Sequence, residues 1–367
     1  MPDFEYVNPQ SFGALAEQLT GQAVIGVDTE FMRETTFLPE LCLLQIATPE
    51  RIFCADPIGD AGDERADLDD FWRALAGRGW IVHAGRQDIE VLYLTAGMTP
   101  HEIFDTQIAA ALLGFAPQLG YAALMAELFG VKIAKLHTRT DWRRRPLPQD
   151  ALEYAAEDVE YLLPACDALS ERLSAVGRLE WARQDAAELL DRNLYAPDPA
   201  SAIDRLKGAR YLRGRPRRIA ADLAAWREAQ ALRLNRPRQW ILRDAALLEI
   251  AVACPGSERA LSSIPALPPR TARRVGRELL ELVKGAASRP DGDRDQPAPP
   301  GRLDDRGVAA LKELQTRVAA VAARLGIVPE VIASRKELSA ALSGGRSLRL
   351  FRGWRRELIG EDLLRIL

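Results

Sequence analysis

The chain has 367 residues, 47% of them hydrophobic and 28% charged, with a formal net charge of −3. Such a length exceeds what one core usually fills and implies more than one domain, in a composition typical of a soluble globular chain. No stretch approaches 18 consecutive apolar residues, and the first ten residues lack a basic region followed by an apolar core, so neither a membrane span nor a secretory leader is expected and the protein is expected in the cytoplasm. Cys42, Cys54, Cys166 and Cys254 have no paired metal-type spacing, which argues against disulfides and zinc.

The small net charge hides a segregation. Residues 1 to 200 hold 16 Lys and Arg against 33 Asp and Glu, a net of −17; residues 201 to 289 carry +11, 290 to 300 carry −2, and 301 to 367 carry +5. An acidic body joined to basic modules suits the handling of a polyanion, because Lys and Arg hold phosphates while carboxylates hold metal ions. The plain alternative is solvated helix faces.

In chain order, VIGVDTE is a buried strand: Val24, Ile25 and Val27 form an apolar run that ends abruptly in Asp28 and Glu30. LCLLQIAT at 41 to 48 and RIFCADP at 51 to 57, parted by Pro49-Glu50, predict two further strands and an antiparallel meander. WIVHAG and IFDT predict two more, with a helix from Asp88 to Leu94 between them, a βαβ unit that favours parallel pairing. Helices are expected at about 106 to 114, 119 to 129, 148 to 173 and 177 to 193. After about 205 the pattern is wholly helical, at 216 to 232, 244 to 253, 256 to 263 and 268 to 285, with Pro237, Pro255 and Pro268 as breakers. RPDGDRDQPAPPG reads as a flexible linker, and 302 to 367 is helical again.

The chemistry lies in acids from three separated segments. Residues two apart in a strand share a face, so Asp28 and Glu30 point into one space. Residues four apart in a helix share a face, so Tyr154 and Asp158 project together. With Asp88, the chain offers four carboxylates, hard oxygen donors suited to a pair of Mg²⁺ or Mn²⁺ ions that cut a phosphodiester. Taken singly each has a plain reading: a strand-end Asp-x-Glu, a helix N-cap at Asp88, a core tyrosine at 154.

Order and spacing together resemble the DEDD superfamily of 3′-5′ exonucleases, in the Tyr-containing branch that includes the ribonuclease D family. The likeness rests on VDTEFMRETTFLPELCLLQIAT at 27 to 48, HAGRQDIEVL at 83 to 92, FDTQIAAALLG at 104 to 114 and TDWRRRPLPQDALEYAAEDVEYL at 140 to 162. The resemblance implies that Asp28, Glu30, Asp88 and Asp158 are the metal ligands and that Tyr154 positions the attacking water. It implies a ribonuclease-H-like α/β exonuclease domain at 1 to 200, followed by two all-α modules. RRIAADLAAWREAQALRLNRPRQWILRDAALLEIA looks like a helicase-and-RNase-D C-terminal (HRDC) domain, placed at 205 to 289; after a linker at 290 to 300, FRGWRRELIGEDLLRIL suggests a second HRDC-like domain at 301 to 367. The implied activity is a metal-dependent exoribonuclease that trims RNA 3′ ends, tRNA precursors by family likeness, and releases 5′-mononucleotides. One ion would activate water and the other stabilise the leaving 3′-oxygen. A DNA exonuclease of the same superfamily and a catalytically inactive RNA-binding scaffold are the alternatives. No obligate protein partner is evident.

Several residues are candidates for holding RNA. Phe31 and Met32 follow Glu30 and either wedge against terminal bases or end a buried strand. Lys135, Arg139, Trp142 and Arg143 lie in a polar segment between helices, where an aromatic ring stacks on bases or anchors the loop. The basic run Arg213 to Arg218, with Arg215, Arg217 and Arg218, is denser than a solvated face requires. His83 ends an apolar strand and reads as a hydrogen-bonded core residue.

Overall fold

A computed structural model of the chain describes residues 2–59, 68–133, 140–289, 303–345, 348–360 and 363. Two compact units emerge, one from Met1–Met32, Glu40–Tyr195 and Arg302–Leu367, the other from Arg33–Pro39 and Ala196–Gly301. No helix among the described residues is long and apolar enough to cross a membrane.

The first unit begins with β1 (Phe4–Val7), α1 (Phe12–Thr20), β2 (Val24–Met32), β3 (Glu40–Ala47), β4 (Ile52–Ala55), α2 (Asp69–Ala76), β5 (Gly79–Val82), α3 (Arg86–Ala96) and β6 (Glu102–Asp105). Helices α4 (Thr106–Leu112), α5 (Tyr121–Phe129), α6 (Gln149–Glu160), α7 (Leu162–Ala175) and α8 (Leu179–Ala187) follow. The strands form one mixed sheet in the order β1-β4-β3-β2-β5-β6. β2, β3 and β4 make the expected antiparallel meander, while β2-β5-β6 and β1-β4 run parallel. Helices cover both faces, which is why the central strands read as nearly continuous apolar runs. Ile25 and Val27 pack with Phe12, Phe71 and Ile89 on one side; Leu43 and Ala47 pack with Leu152, Ala155 and Val159 on the other. β1 carried no strand pattern, being four residues long at the sheet's edge.

The helix expected at 148 to 173 is broken. Pro164 lacks an N–H and its ring clashes with the carbonyl four residues earlier, so the α6 ladder stops and α7 restarts with Pro164 in its first turn. The freed N–H of Tyr161, at the break, donates to the Tyr121 hydroxyl at 3.0 Å. The break lies beside Gly26, where a Cβ would come within 3.1 Å of Leu162 and Ala47, so glycine lets α7 approach β2.

The second unit holds α9 (Gly214–Leu234), α10 (Arg238–Ile241), α11 (Asp244–Ala253), α12 (Glu258–Ser262) and α13 (Pro269–Ser288) around a core of Ile219, Leu223, Leu247, Ile250, Leu279 and Val283. Asn235, a left-handed C-cap at φ 45°, accepts the N–H groups of Phe37 and Leu38 with Oδ1 at 3.0 and 2.9 Å, and Phe37 is buried with Ala231 and Ile241.

The last segment, expected as a module of its own, contributes α14 (Asp305–Leu325), α15 (Pro329–Ile332) and α16 (Arg335–Leu342) to the first unit. Leu311, Leu314, Val318 and Ile332 share one hydrophobic core with Leu112, Met125, Leu169 and Leu173. An aromatic and an ionic contact reinforce it: Trp354 stacks on Trp181 at 4.6 Å, and the buried Arg355 makes a two-pronged ion pair with Asp185. The linker expected at 290 to 300 lies outside the described residues.

Within that segment Glu337 closes a capping box on Ser334 and pairs with Arg349. Burial alone would raise its carboxyl, but hydrogen bonds from Arg349 and Ser334 outweigh it and hold the pKa near about 2 against 4.5. A depressed folded-state value contributes stability above the unfolded pKa, and that contribution is lost as pH falls from about 4.5 towards 2. Glu337→Gln is therefore expected to be less stable than the unsubstituted chain at pH 6 and to converge with it near pH 2; urea melts across that range measure the gap, and a gap that stays constant with pH refutes the assignment.

Candidate active site

β2 and the α6 helix supply three of the four acids. Strand alternation sets Asp28 and Glu30 on the sheet face covered by α6, and on that helix Asp158 lies one turn beyond Tyr154 and shares a hydrogen bond with its hydroxyl. Thr29, between the two strand acids, faces the other way and donates its hydroxyl to Asp88 Oδ1 at 2.6 Å. Asp88 sits buried in the first turn of α3. Thr29 thus ties the acid on α3 to the strand that carries the other two.

The electrostatics show one coupled set. Burial first, then Asp88, Asp158 and Glu30, push Asp28 well above the ordinary carboxylate range. Burial, with Asp158 and Asp88, lifts Glu30 to about 8. Asp88 and Asp158 each rise to about 6, chiefly by burial, against opposing hydrogen bonds from Thr29 and Tyr154 respectively. Carboxylates raised together in this way have more negative charge than their surroundings neutralise. Tyr154, half-buried beside Asp158 and Glu30, is pushed above the usual phenol range, first by burial. As the side chains stand, no three His, Cys, Asp or Glu among the described residues converge on one point; the acids are a repelling set rather than a closed cage.

Three supporting residues carried no sequence signal. Asp105, the N-cap of α4, accepts the N–H groups of Gln107 and Ile108 and also those of Ala84 and Gly85. It holds the turn before α3, where Ala84 adopts φ 56° and a Cβ on Gly85 would collide with Val82 at 2.4 Å. Gln45 pairs with Asp28 across β2 and β3; it is fully buried, and neither its Oε1 nor its Nε2 has a hydrogen-bond partner among the described residues. Arg145 makes a two-pronged ion pair with the buried Asp56 and donates to the carbonyl of Cys42 at 2.8 Å. Cys42 is the extra residue where the β2-β3 register slips next to Glu30, so Arg145 satisfies a carbonyl at a bulge beside the acids. His83 bonds Thr106 Oγ1 and the Leu119 carbonyl at 2.9 Å each, and its pKa is lowered, first by burial, as a neutral core residue requires.

The candidate RNA contacts fare unevenly. Phe31 packs against the α1 and α3 side of the sheet and Met32 against the α6 side, both half-buried. Trp142 is only 4% exposed, in the core with Leu147 and Ala151; its ring anchors the loop and is not open to a base, which corrects the stacking role. Arg143 remains accessible and pairs with Asp141 at 3.4 Å. Lys135 and Arg139 lie outside the described residues. Arg217 donates to the carbonyl of Ala209, and Arg218 to those of Ala286 and Arg289, capping the end of α13; both guanidinium groups are structural, and Arg215 alone of the three is well exposed.

Comparison with known proteins gives this arrangement a context. A family model described as 3′-5′ exonuclease matches residues 7–174, and one described as HRDC domain matches 217–283. Ribonuclease D of Acidiphilium cryptum is 36% identical over 97% of this chain and 91% of its own length, and ribonuclease D of Pseudomonas paraeruginosa 35% identical over 100% and 98%. The crystal structure of Escherichia coli RNase D, described as an exoribonuclease involved in structured RNA processing, superposes with a TM-score of 0.87 at 29% identity, covering 100% of this chain and 98% of that one.

Proposed function

The chain belongs to the ribonuclease D family of 3′-5′ exoribonucleases, and from that premise we propose that it trims the 3′ ends of tRNA precursors one nucleotide at a time, by a two-metal mechanism that releases 5′-mononucleotides. The observation that carries this reading is the coupling of four carboxylates from three segments, Asp88 buried and Asp28, Glu30 and Asp158 half-buried. A self-repelling set of oxygen donors gains most from hard divalent cations, and the unpartnered amide of Gln45 opposite Asp28 fits a hydrated ion better than a dry core. Asp28, Glu30, Asp88 and Asp158 would hold two Mg²⁺ or Mn²⁺ ions, which supply a water that is nucleophilic at neutral pH and charge neutralisation at the leaving 3′-oxygen.

The chain's own groups do the remaining work. Thr29 orients the Asp88 carboxylate, and rotation of the four side chains closes the cluster. Tyr154, whose raised pKa keeps its proton at neutral pH, donates and orients rather than acting as a bulk base. Exposed arginines such as Arg143 and Arg215 hold phosphates of the substrate. The buried free thiols of Cys42 and Cys54 suit a reducing cytoplasm.

The test follows a tRNA precursor labelled at its 5′ end, beside a DNA strand of equal length. A ladder that shortens from the 3′ end of the RNA with Mg²⁺ or Mn²⁺ and stops with chelator is expected. Trimming that persists in chelator, or equal trimming of DNA, overturns the reading. Tyr154→Phe separates orientation from ligation: the ring still packs, so metal affinity by calorimetry should hold while turnover falls about a hundredfold, the scale of a misoriented reactant. Loss of metal binding with the fold intact would remove Tyr154 from that role.

A further inference from the structure

Trp240 is the most exposed of the seven tryptophans, at 55%. A lone exposed ring would be ordinary; what sets this one apart is the stretch of chain that carries it. Within twelve positions of sequence, from 232 to 243, Leu232, Leu234, Arg233, Arg236 and Arg243 are exposed as well. Among the described residues, Arg233 bonds the neutral Gln230 and no acid pairs with Arg233, Arg236 or Arg243. An open aromatic face beside exposed guanidinium groups is the chemistry that receives a single strand, with bases on the ring and phosphates on the arginines.

The platform is also rigid. Within α10, Arg238 makes a two-pronged ion pair with the buried Glu228 and lies 4.5 Å over the Phe37 ring, while Ile241 is buried. Immediately after it, the Leu242 carbonyl accepts from the buried Arg227, which also bonds Asp244. The backbone N–H of Trp240 donates to the Pro237 carbonyl at 2.8 Å. The turn that carries the exposed indole is thus held on both sides by buried and hydrogen-bonded partners, so little backbone freedom remains to be lost when a base stacks on the ring.

We propose that Trp240, flanked by Arg236 and Arg243, is a stacking platform for a single-stranded stretch of the RNA substrate. The proposal rests on the exoribonuclease reading for the identity of the strand, and it names a contact that reading leaves open. Its function is to hold unpaired nucleotides by a contact that is tolerant of sequence, since every base has a π-face.

Stacking and charge respond differently to salt, and this separates them. Affinity of the full-length protein for a 16-nucleotide single-stranded RNA is measured by fluorescence anisotropy across a salt series, in chelator so that nothing is hydrolysed, with an RNA duplex as the second arm. Trp240→Ala should lose about tenfold in affinity for the single strand at every salt concentration, with an unchanged slope and unchanged duplex binding. Trp240→Phe should recover most of that loss, which a mere defect of folding would not allow. The double variant Arg236→Gln, Arg243→Gln should flatten the slope of log affinity against log salt by roughly 1.4, the release expected for two phosphates on a single strand. Unaltered single-strand binding by Trp240→Ala, or an equal loss on single strand and duplex, overturns the proposal. Self-association of the unsubstituted chain that Trp240→Ala abolishes would assign the face to a second copy and overturn it too. Failure of the nuclease reading is seen separately, as unsubstituted protein that leaves RNA intact with Mg²⁺ or Mn²⁺.

Discussion

Asp28→Asn is expected to lower RNA trimming by roughly a thousandfold, because losing several kcal/mol of metal-borne transition-state stabilisation costs tenfold for about every 1.36 kcal/mol. Stability in chelator should move the opposite way and hold or rise. Asp28 stands half-buried with Asp88, Asp158 and Glu30 acting on it, and its raised pKa records how unfavourable its charge is there without a cation. Asparagine keeps the shape, removes that charge and can accept the same local hydrogen bonds. The pairing of outcomes is diagnostic, since a structural aspartate would lose stability on substitution whereas a ligand held in readiness for a cation loses activity alone. Single-turnover trimming of a 5′-labelled RNA, with thermal melts with and without Mn²⁺, reads both quantities. Full activity of Asp28→Asn would end the assignment of this cluster as the catalytic centre.

The second large effect is on folding, at Arg355. Its side chain is 3% exposed, donates to Asp185 through both terminal nitrogens, and satisfies the Val331 and Ile332 carbonyls. Removing one partner of a buried pair leaves an uncompensated charge, so Arg355→Ala should cost about 3–5 kcal/mol. Arg355→Ala with Asp185→Asn removes both charges and should recover part of the loss, as a double-mutant cycle in urea would show. Additive losses would mean that the pair is not coupled. The same core decides how the chain can be divided. A fragment ending near Ala200 would lose α14 to α16 and uncover Leu112, Met125, Leu169 and Leu173. Salt-dependence experiments therefore belong in the full chain. Reversing Arg217 or Arg218 would break backbone anchors along with any phosphate contact, so Arg215 is the residue to reverse.

Much of the centre was determined by local rules that a sequence carries on its face. Period two along VDTE and period four along YAAED are properties of strand and helix geometry, so the shared faces of Asp28 with Glu30 and of Tyr154 with Asp158 needed no fold to be read. The meander, the βαβ unit and the wholly helical second unit follow in the same way from apolar period and from proline and glycine punctuation. What only the tertiary structure decided depends on contacts between residues far apart in the chain, for which no local pattern exists. Thr29 meets Asp88 from 59 positions away, and the ion pair of Arg145 with Asp56 spans 89. Trp142 could be assigned to the core only once its neighbours were in place, because a tryptophan in a polar loop looks the same whether it anchors or stacks. The break at Tyr161 was signalled by Pro164, yet the partner that takes the freed N–H, Tyr121, comes from another helix. The last 66 residues carry helical patterns that fit an independent module equally well. Their apolar faces find α4, α5, α7 and α8, and burial against those helices, which no periodicity records, makes them part of the catalytic unit.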